Sequence, residues 1–141
     1  MLACADVALR LRDVLDGIGL ASWIKTSGNK GLQVYAPVDM EYAESKPPAR
    51  AVAEGMEERW PERVVSRMAK SLRPGKVLID WQQNTEHKSM VAPYSVRARE
   101  RPTVSTPLRW EELGTDDPGA LVFEIDDVLR RVSELGDLFL T

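Results

Sequence analysis

LIDWQQNTEHKSMVAPYSVRARERPTVSTPLR, residues Leu78–Arg109, is the stretch on which the reading of this chain turns. It opens as an apolar strand, Val77-Leu78-Ile79, that ends on an acid, Asp80. Seventeen residues later come Arg97 and Arg99, one residue apart. A carboxylate at a strand end can hold a divalent metal. Two arginines so spaced on an extended segment point the same way, because side chains alternate with period two. An acid for metal and a paired guanidinium face for phosphate are parts of a nucleotide-handling site.

Outward from this stretch the chain alternates between helical and extended patterns. Residues 3–16 carry apolar side chains at 7, 8, 11, 14 and 15, an amphipathic helix stopped by Gly17 and Gly19. Ala21–Thr26 and Leu32–Pro37 read as two strands joined by the turn Ser27-Gly28-Asn29-Lys30-Gly31, a hairpin. Residues 41–59 read as a helix whose first solid turn is set by Pro47 and Pro48, since proline fits a first turn. Pro61 breaks it, and 62–70 is expected to be a second helix or a continuation. Lys76–Asp80 is a strand, 82–109 is extended or irregular, 110–113 a helical turn, 116–119 a turn, and 124–135 a final helix. The fold class is α+β: an antiparallel or mixed sheet flanked by helices, expected as a single domain over 1–141 with no visible linker.

Composition narrows the function classes. The chain has 141 residues, 43% hydrophobic and 29% charged, which suits a globular domain with its own core. No apolar run approaches the ~20 residues needed to span a bilayer, so a membrane partner is not expected. The N-terminal residues lack the basic start of a signal peptide, and Asp6 and Asp13 interrupt them. A single cysteine, Cys4, leaves no internal disulfide and no cysteine-based zinc site. A cytoplasmic location is the expectation. The net charge is −3, yet residues 63–101 hold nine Lys or Arg against three acids. A basic centre in an acidic chain suits an anionic ligand. A solvated basic helix face over 63–73 is the plain alternative for part of it.

The chemistry-bearing groups each have a bland reading. In the loop around Ser27–Gly31, glycines let backbone amides approach a phosphate, Ser27 brings a hydroxyl and the lysines bring charge. It is not a P-loop, because it joins two strands and lacks the G-x-x-x-x-G-K-[ST] spacing. An ordinary hairpin turn would look the same. Asp80 could equally cap a turn. The pairs Asp116/Asp117 and Asp126/Asp127 read as turn and helix-start residues. His87, the only histidine, sits in a polar loop with no triad partners. Trp23 and Trp60 read as core, and Trp81 could line a site.

Four strings in this order, KTSGNKGLQVYAP (Lys25–Pro37), LIDWQQN (Leu78–Asn84), VAPYSVRAR (Val91–Arg99) and VSTPLRWEEL (Val104–Leu113), resemble the polymerase domain of bacterial DNA ligase D, in the archaeo-eukaryotic primase superfamily. ALRLRD (Ala8–Asp13) and Leu135-Gly136-Asp137 fit as well, so the resemblance covers nearly the whole chain. It implies a partial primase-polymerase catalytic core corresponding to the C-terminal half of that domain. It implies nucleotidyl transfer, often of ribonucleotides, at DNA ends in non-homologous end joining. By the resemblance, Asp80 matches the third of three metal-binding aspartates, so it would be the catalytic and metal residue. Ser27 matches a triphosphate-contacting serine, Lys30 lies in the same loop, and Arg97 and Arg99 match phosphate-binding arginines. Mg²⁺ or Mn²⁺ is the implied cofactor, and a nucleoside triphosphate and DNA ends are the implied partners.

Two departures bear on activity. Gln33 stands where the family loop has a histidine, and glutamine can hydrogen-bond a phosphate but carries no charge and shuttles no proton. The family's Asp-x-Asp motif, with its first two metal aspartates, would precede Met1. One carboxylate cannot fix two Mg²⁺ ions. The expectation is therefore a fragment inactive by itself, completed by a complementing N-terminal half or by end-joining proteins, and nucleoid-associated when bound to DNA. The second reading is a non-catalytic nucleotide- or nucleic-acid-binding module. The geometric expectation is that the hairpin 21–37 and the strand 76–80 share one antiparallel sheet, with Asp80, Ser27, Gln33, Arg97 and Arg99 converging on one face and helix 3–16 on the other.

Overall fold

A computed structural model describes residues 1–38, 42–67, 71, 74–83 and 92–139. The chain falls into two compact units, Met1–Pro37 together with Val91–Thr141, and Val38–Met90. Helices and small sheets alternate through both, which is the α+β class expected.

In the first unit, α1 (Leu2–Gly17) buries Ala5, Val7, Ala8 and Leu15. Its end is closed by Gly19 at φ +81° and by Leu20 N, which donates to Leu15 O at 2.9 Å. Strands β1 (Trp23–Thr26) and β2 (Leu32–Tyr35) form the expected antiparallel hairpin, with Ile24 opposite Val34 and Lys25 opposite Gln33. Short strands follow: β5 (Val96–Arg97), β6 (Thr103–Val104) and β7 (Pro107–Leu108). β7 pairs with the free edge of β1, giving the sheet order β2-β1-β7, and β5 pairs with β6. A 3₁₀ turn over Trp110–Gly114, another over Pro118–Leu121 and helix α3 (Ile125–Leu135) complete the unit.

Alternation decides what β1 buries. Ile24 and its cross-strand partner Leu108 enter a core with Ala5, Ala8, Val104, Leu113, Leu121, Phe123 and Val128, and Val34 packs against it. Lys25, the next residue, points to the opposite face with Gln33. The acids read as structural behave so. Asp117 caps the second 3₁₀ turn by accepting from Gly119 N at 3.0 Å. Asp127 accepts from Glu124 N at 2.9 Å at the start of α3 and pairs with Arg130 at 2.7 Å.

In the second unit, α2 (Tyr42–Arg59) buries Ala53 and Met56 beside β3 (Val64–Val65). The helix begins five residues before Pro47, so the two prolines lie inside it and not in its first turn. They withhold two N–H groups from carbonyls four residues back, leaving that first stretch with fewer bonds. Residues 62–70 were expected to be helical; instead Val64-Val65 is a strand, pairing in parallel with β4 (Val77–Leu78). Two consecutive β-branched residues after a proline favour an extended backbone once a partner strand is available. The same pairing corrects the expected sheet. β4 joins β3, and the hairpin's third strand is β7, so 21–37 and 76–80 do not share a sheet. No helix among the described residues is long and apolar enough to cross a membrane.

Candidate functional site

The polar face of β1 in the first unit is built from residues far apart in sequence. Lys25 is fully buried. Its ammonium donates to Gln33 Oε1 at 2.5 Å and to Ser105 Oγ, and it lies 5.9 Å from the centre of the Tyr35 ring. Ser105 Oγ in turn donates to Thr26 O at 2.6 Å. Thr26 and Thr106 exchange bonds in the same layer: Thr26 N donates to Thr106 O, and Thr106 N donates to Thr26 Oγ1, both at 2.9 Å. Burying an ammonium costs free energy unless its donors are matched, and here a hydroxyl and an amide oxygen match two of them.

Ser27 closes the hairpin loop. Its N donates to Gly31 O at 2.9 Å, and its Oγ accepts from Asn29 N at 3.1 Å and Gly31 N at 3.2 Å. Two loop amides expected to face a phosphate are thus engaged by Ser27, while the Ser27 hydroxyl hydrogen is still available to donate. Gly28 has φ +78°, and a Cβ placed there would stand 2.6 Å from Arg97 Cγ and 3.1 Å from Ser105 N. The absence of a side chain is what lets the Arg97 stem lie against the loop. The loop is also tied to β6 by Thr103, opposite Arg97 in register, whose hydroxyl donates to Gly28 O. On the other side of β5, Tyr94 takes a left-handed conformation, φ +68°, with its N donating to Ser105 O at 2.7 Å and its hydroxyl to Asp137 Oδ1 at 2.7 Å.

Electrostatically this corner is cationic. Burial, and then the nearby Arg97 guanidinium, bring Lys25 down to about 8. Among the described residues, no carboxylate pairs with Lys25 or with Arg97. Arg97 rests on the glycine loop and Lys25 lies near enough to feel its charge.

Of the residues singled out in the sequence, Ser27, Gln33 and Arg97 belong to this corner. Lys30 is exposed in the loop. Arg99 is exposed in the bend after β5; the strand ends at Arg97, so strand alternation does not carry to Arg99. Asp80 lies in the second unit, half-buried, where its Oδ1 accepts from Gln82 N at 3.2 Å at the start of a 3₁₀ turn over Trp81–Gln83. Trp81, beside it, donates its indole N–H to Ser66 O at 2.8 Å and lies under Lys46 and Arg50 of α2. Trp23 and Trp60, expected in the core, are half-buried. His87 lies outside the described residues. Among the described residues no three acidic, histidine or cysteine side chains gather.

The sequence reading took Lys25 only as one of the loop's charged lysines and Ser105 only as part of a family string, and foresaw the buried bond between them for neither. For Lys25 a signal existed: it follows Ile24 in a strand and stands across from Gln33 in the hairpin. For Ser105 none did, because its role depends on the packing of a segment 80 residues away.

The comparisons with known proteins agree with this architecture. The LigD primase-polymerase domain model matches residues 1–139. The multifunctional non-homologous end joining DNA repair protein LigD of Mycobacterium tuberculosis (strain ATCC 25618 / H37Rv) is 44% identical over 140 residues, 98% of this chain and 18% of that protein. The bifunctional non-homologous end joining protein LigD of Bacillus subtilis (strain 168) is 35% identical over 138 residues, 96% of this chain and 22% of that one. A solved polymerase domain from Mycobacterium tuberculosis ligase D, in complex with DNA, superposes with a TM-score of 0.91 at 44% identity, over 98% of this chain and 48% of that chain. The chain thus spans about a fifth of these LigD proteins and about half of the solved domain. With the match running over nearly its whole length, this chain belongs to the LigD primase-polymerase domain family.

Proposed function

We propose that this chain supplies the triphosphate-holding part of a LigD-type nucleotidyl transferase that acts on DNA ends in non-homologous end joining, in the cytoplasm and at the nucleoid when DNA-bound. The observation that carries the reading is the corner made by Lys25, Gln33, Ser27 and Arg97 around Gly28, with no carboxylate among the described residues to neutralise it. A triphosphate is the anion that the family's chemistry brings to such a corner. Arg97 offers a planar guanidinium for phosphate oxygens, and Ser27 and Gln33 offer neutral donors that select orientation. Lys30 and Arg99, both exposed, add steering charge that salt will screen. Asp80 is the residue we assign to a divalent Mg²⁺ or Mn²⁺. When bound, such ions would neutralise charge on the phosphate oxygens and on the attacking and leaving oxygens. With no cluster of three ligands among the described residues, we assign this chain triphosphate binding and expect it not to transfer nucleotides by itself. DNA ends are the proposed macromolecular partner, supported by the DNA in the complex of the related polymerase domain.

The test is a titration of nucleoside triphosphate into wild type and into an Arg97→Ala/Arg99→Ala variant. The expected dissociation constant is ~0.1–1 mM, about 4–5 kcal/mol, weakening as salt rises. Equal affinity in both would take the arginines out of the site. Primer extension with Mg²⁺ or Mn²⁺ is expected to be absent from the isolated chain. Addition that disappears in Asp80→Ala would instead show the 141 residues to be catalytically complete. The non-catalytic reading is favoured if triphosphate binds and no added polypeptide of the family restores transfer.

A further inference from the structure

Lys25 is the residue at this corner that no phosphate contact explains, because it is fully buried. An ammonium donates and never accepts, so the atom facing it at 2.5 Å has to be the Gln33 oxygen and not its nitrogen. Tyr35 OH approaches the same oxygen at 3.4 Å. Both inward contacts fall on Oε1, and no partner among the described residues takes the Gln33 amide nitrogen. A glutamine side chain on a half-exposed strand would otherwise sample both orientations of its amide.

We propose that Lys25 is a positioning residue for anion recognition: its buried ammonium holds Gln33 oxygen-inward, so the amide N–H groups are presented as fixed donors to a bound polyphosphate. This rests on the triphosphate reading above and adds how a neutral residue serves in it. A donor pinned in advance loses less rotamer freedom on binding than a free one. The groups around Lys25 are consistent with the role. β2 contributes Gln33 and Tyr35, the segment before β7 contributes Ser105, and β5 contributes Arg97, the only charged group among them. No acid among these competes with Gln33 for the ammonium.

The test uses the full 141-residue chain with inorganic tripolyphosphate as the probe. Lys25→Met and Gln33→Leu are each expected to weaken binding about tenfold, the scale of one charge-assisted hydrogen bond. The double variant is expected to be no weaker than either, because both changes remove one presented donor. Losses that add would mean that Lys25 acts on the anion independently, and would overturn the proposal. A second readout needs no variant of Lys25 to fold. In ¹⁵N-labelled wild type, the side-chain amide signal absent from Gln33→Leu should shift with pH and inflect near 8, where Lys25 titrates. A flat profile there would overturn the pairing. If tripolyphosphate bound none of the forms while the inflection remained, the triphosphate reading and the ligand assigned to the amide would both fall, and the Lys25–Gln33 pair would stand.

Discussion

Ile24 and Lys25 are neighbours on one strand, 1% and 0% exposed, and they do opposite things. Ile24 meets hydrocarbon from α1, β7 and the C-terminal elements. Lys25 meets a hydroxyl, an amide oxygen, an aromatic face and a second cation. The difference teaches that burial does not separate core from site; the partner atoms do. The apolar face surrounds Ile24 with hydrocarbon alone. The polar face matches Lys25 with neutral oxygens, and among the described residues no acid pairs with its charge or with that of Arg97. One face is matched within the folded chain, and the other is the face to which the proposal above assigns an anion.

Four measurements would break or sharpen that contrast. Ile24→Ala should cost the most, about 3 kcal/mol in urea or thermal unfolding, from lost burial plus the cavity left. Its polyphosphate affinity, measured where the variant is folded, should be unchanged. A loss below about 1 kcal/mol would mean the apolar face is not the stabilising one. Gly28→Ala should cost about 1–2 kcal/mol, since it combines a left-handed backbone with a Cβ 2.6 Å from Arg97 Cγ. Unlike Ile24→Ala, it should also weaken anion binding by displacing the arginine. Unchanged binding would free Arg97 from the loop.

Arg97→Ala should weaken tripolyphosphate binding about tenfold, near 1.4 kcal/mol, and flatten its salt dependence. It should not destabilise the fold, because it removes a repulsion felt by Lys25 and lets the lysine titrate higher. A fall in melting temperature would show that Arg97 is structural.

The smallest effects are in pH. Lys25 is held at about 8 in the fold against 10.5 when unfolded. Between those values the unfolded chain binds the extra proton, so Lys25 makes stability rise with pH across that window, and polyphosphate binding should decline over it. Glu112 gives a slope of the same sign at low pH, there as a stabilising contribution. Burial alone would raise its carboxyl, but the Arg131 pair at 2.6 Å and the Arg109 N–H outweigh it and hold it below the ordinary range. Its contribution is present above the ordinary carboxyl range and is lost as pH falls through the lowered value. Urea melts at pH 3, 7 and 9 on wild type, Lys25→Met and Arg131→Ala would separate the two. Parallel pH profiles for all three would remove both assignments.

The elements that local pattern specifies were legible in the sequence. The 3.6-residue spacing of α1, the β1–β2 hairpin around Ser27–Gly31, and the caps at Asp117 and Asp127 all stand where their residues put them. Val64-Val65 was misread as helix because its strand exists only through pairing with Val77-Leu78, twelve or more positions on. The α2 start was misplaced because proline preference is local, while the helix continues across both prolines.

The site divides along the same line. Sequence by itself determined that Ser27, Lys30, Gln33, Arg97, Arg99 and Asp80 were the residues to watch, since their chemistry and their family strings are local facts. Once the hairpin register is fixed, alternation along β1 puts Lys25 on the Gln33 face and Ile24 on the other. Only the tertiary structure decided that Lys25 is sealed by Ser105, that Arg97 rests on Gly28, and that β4 joins β3 and not the hairpin. Those facts depend on contacts spanning up to 80 residues of chain. The free energy of such contacts comes from burial and matched hydrogen bonds between segments, and no window of local sequence contains both partners.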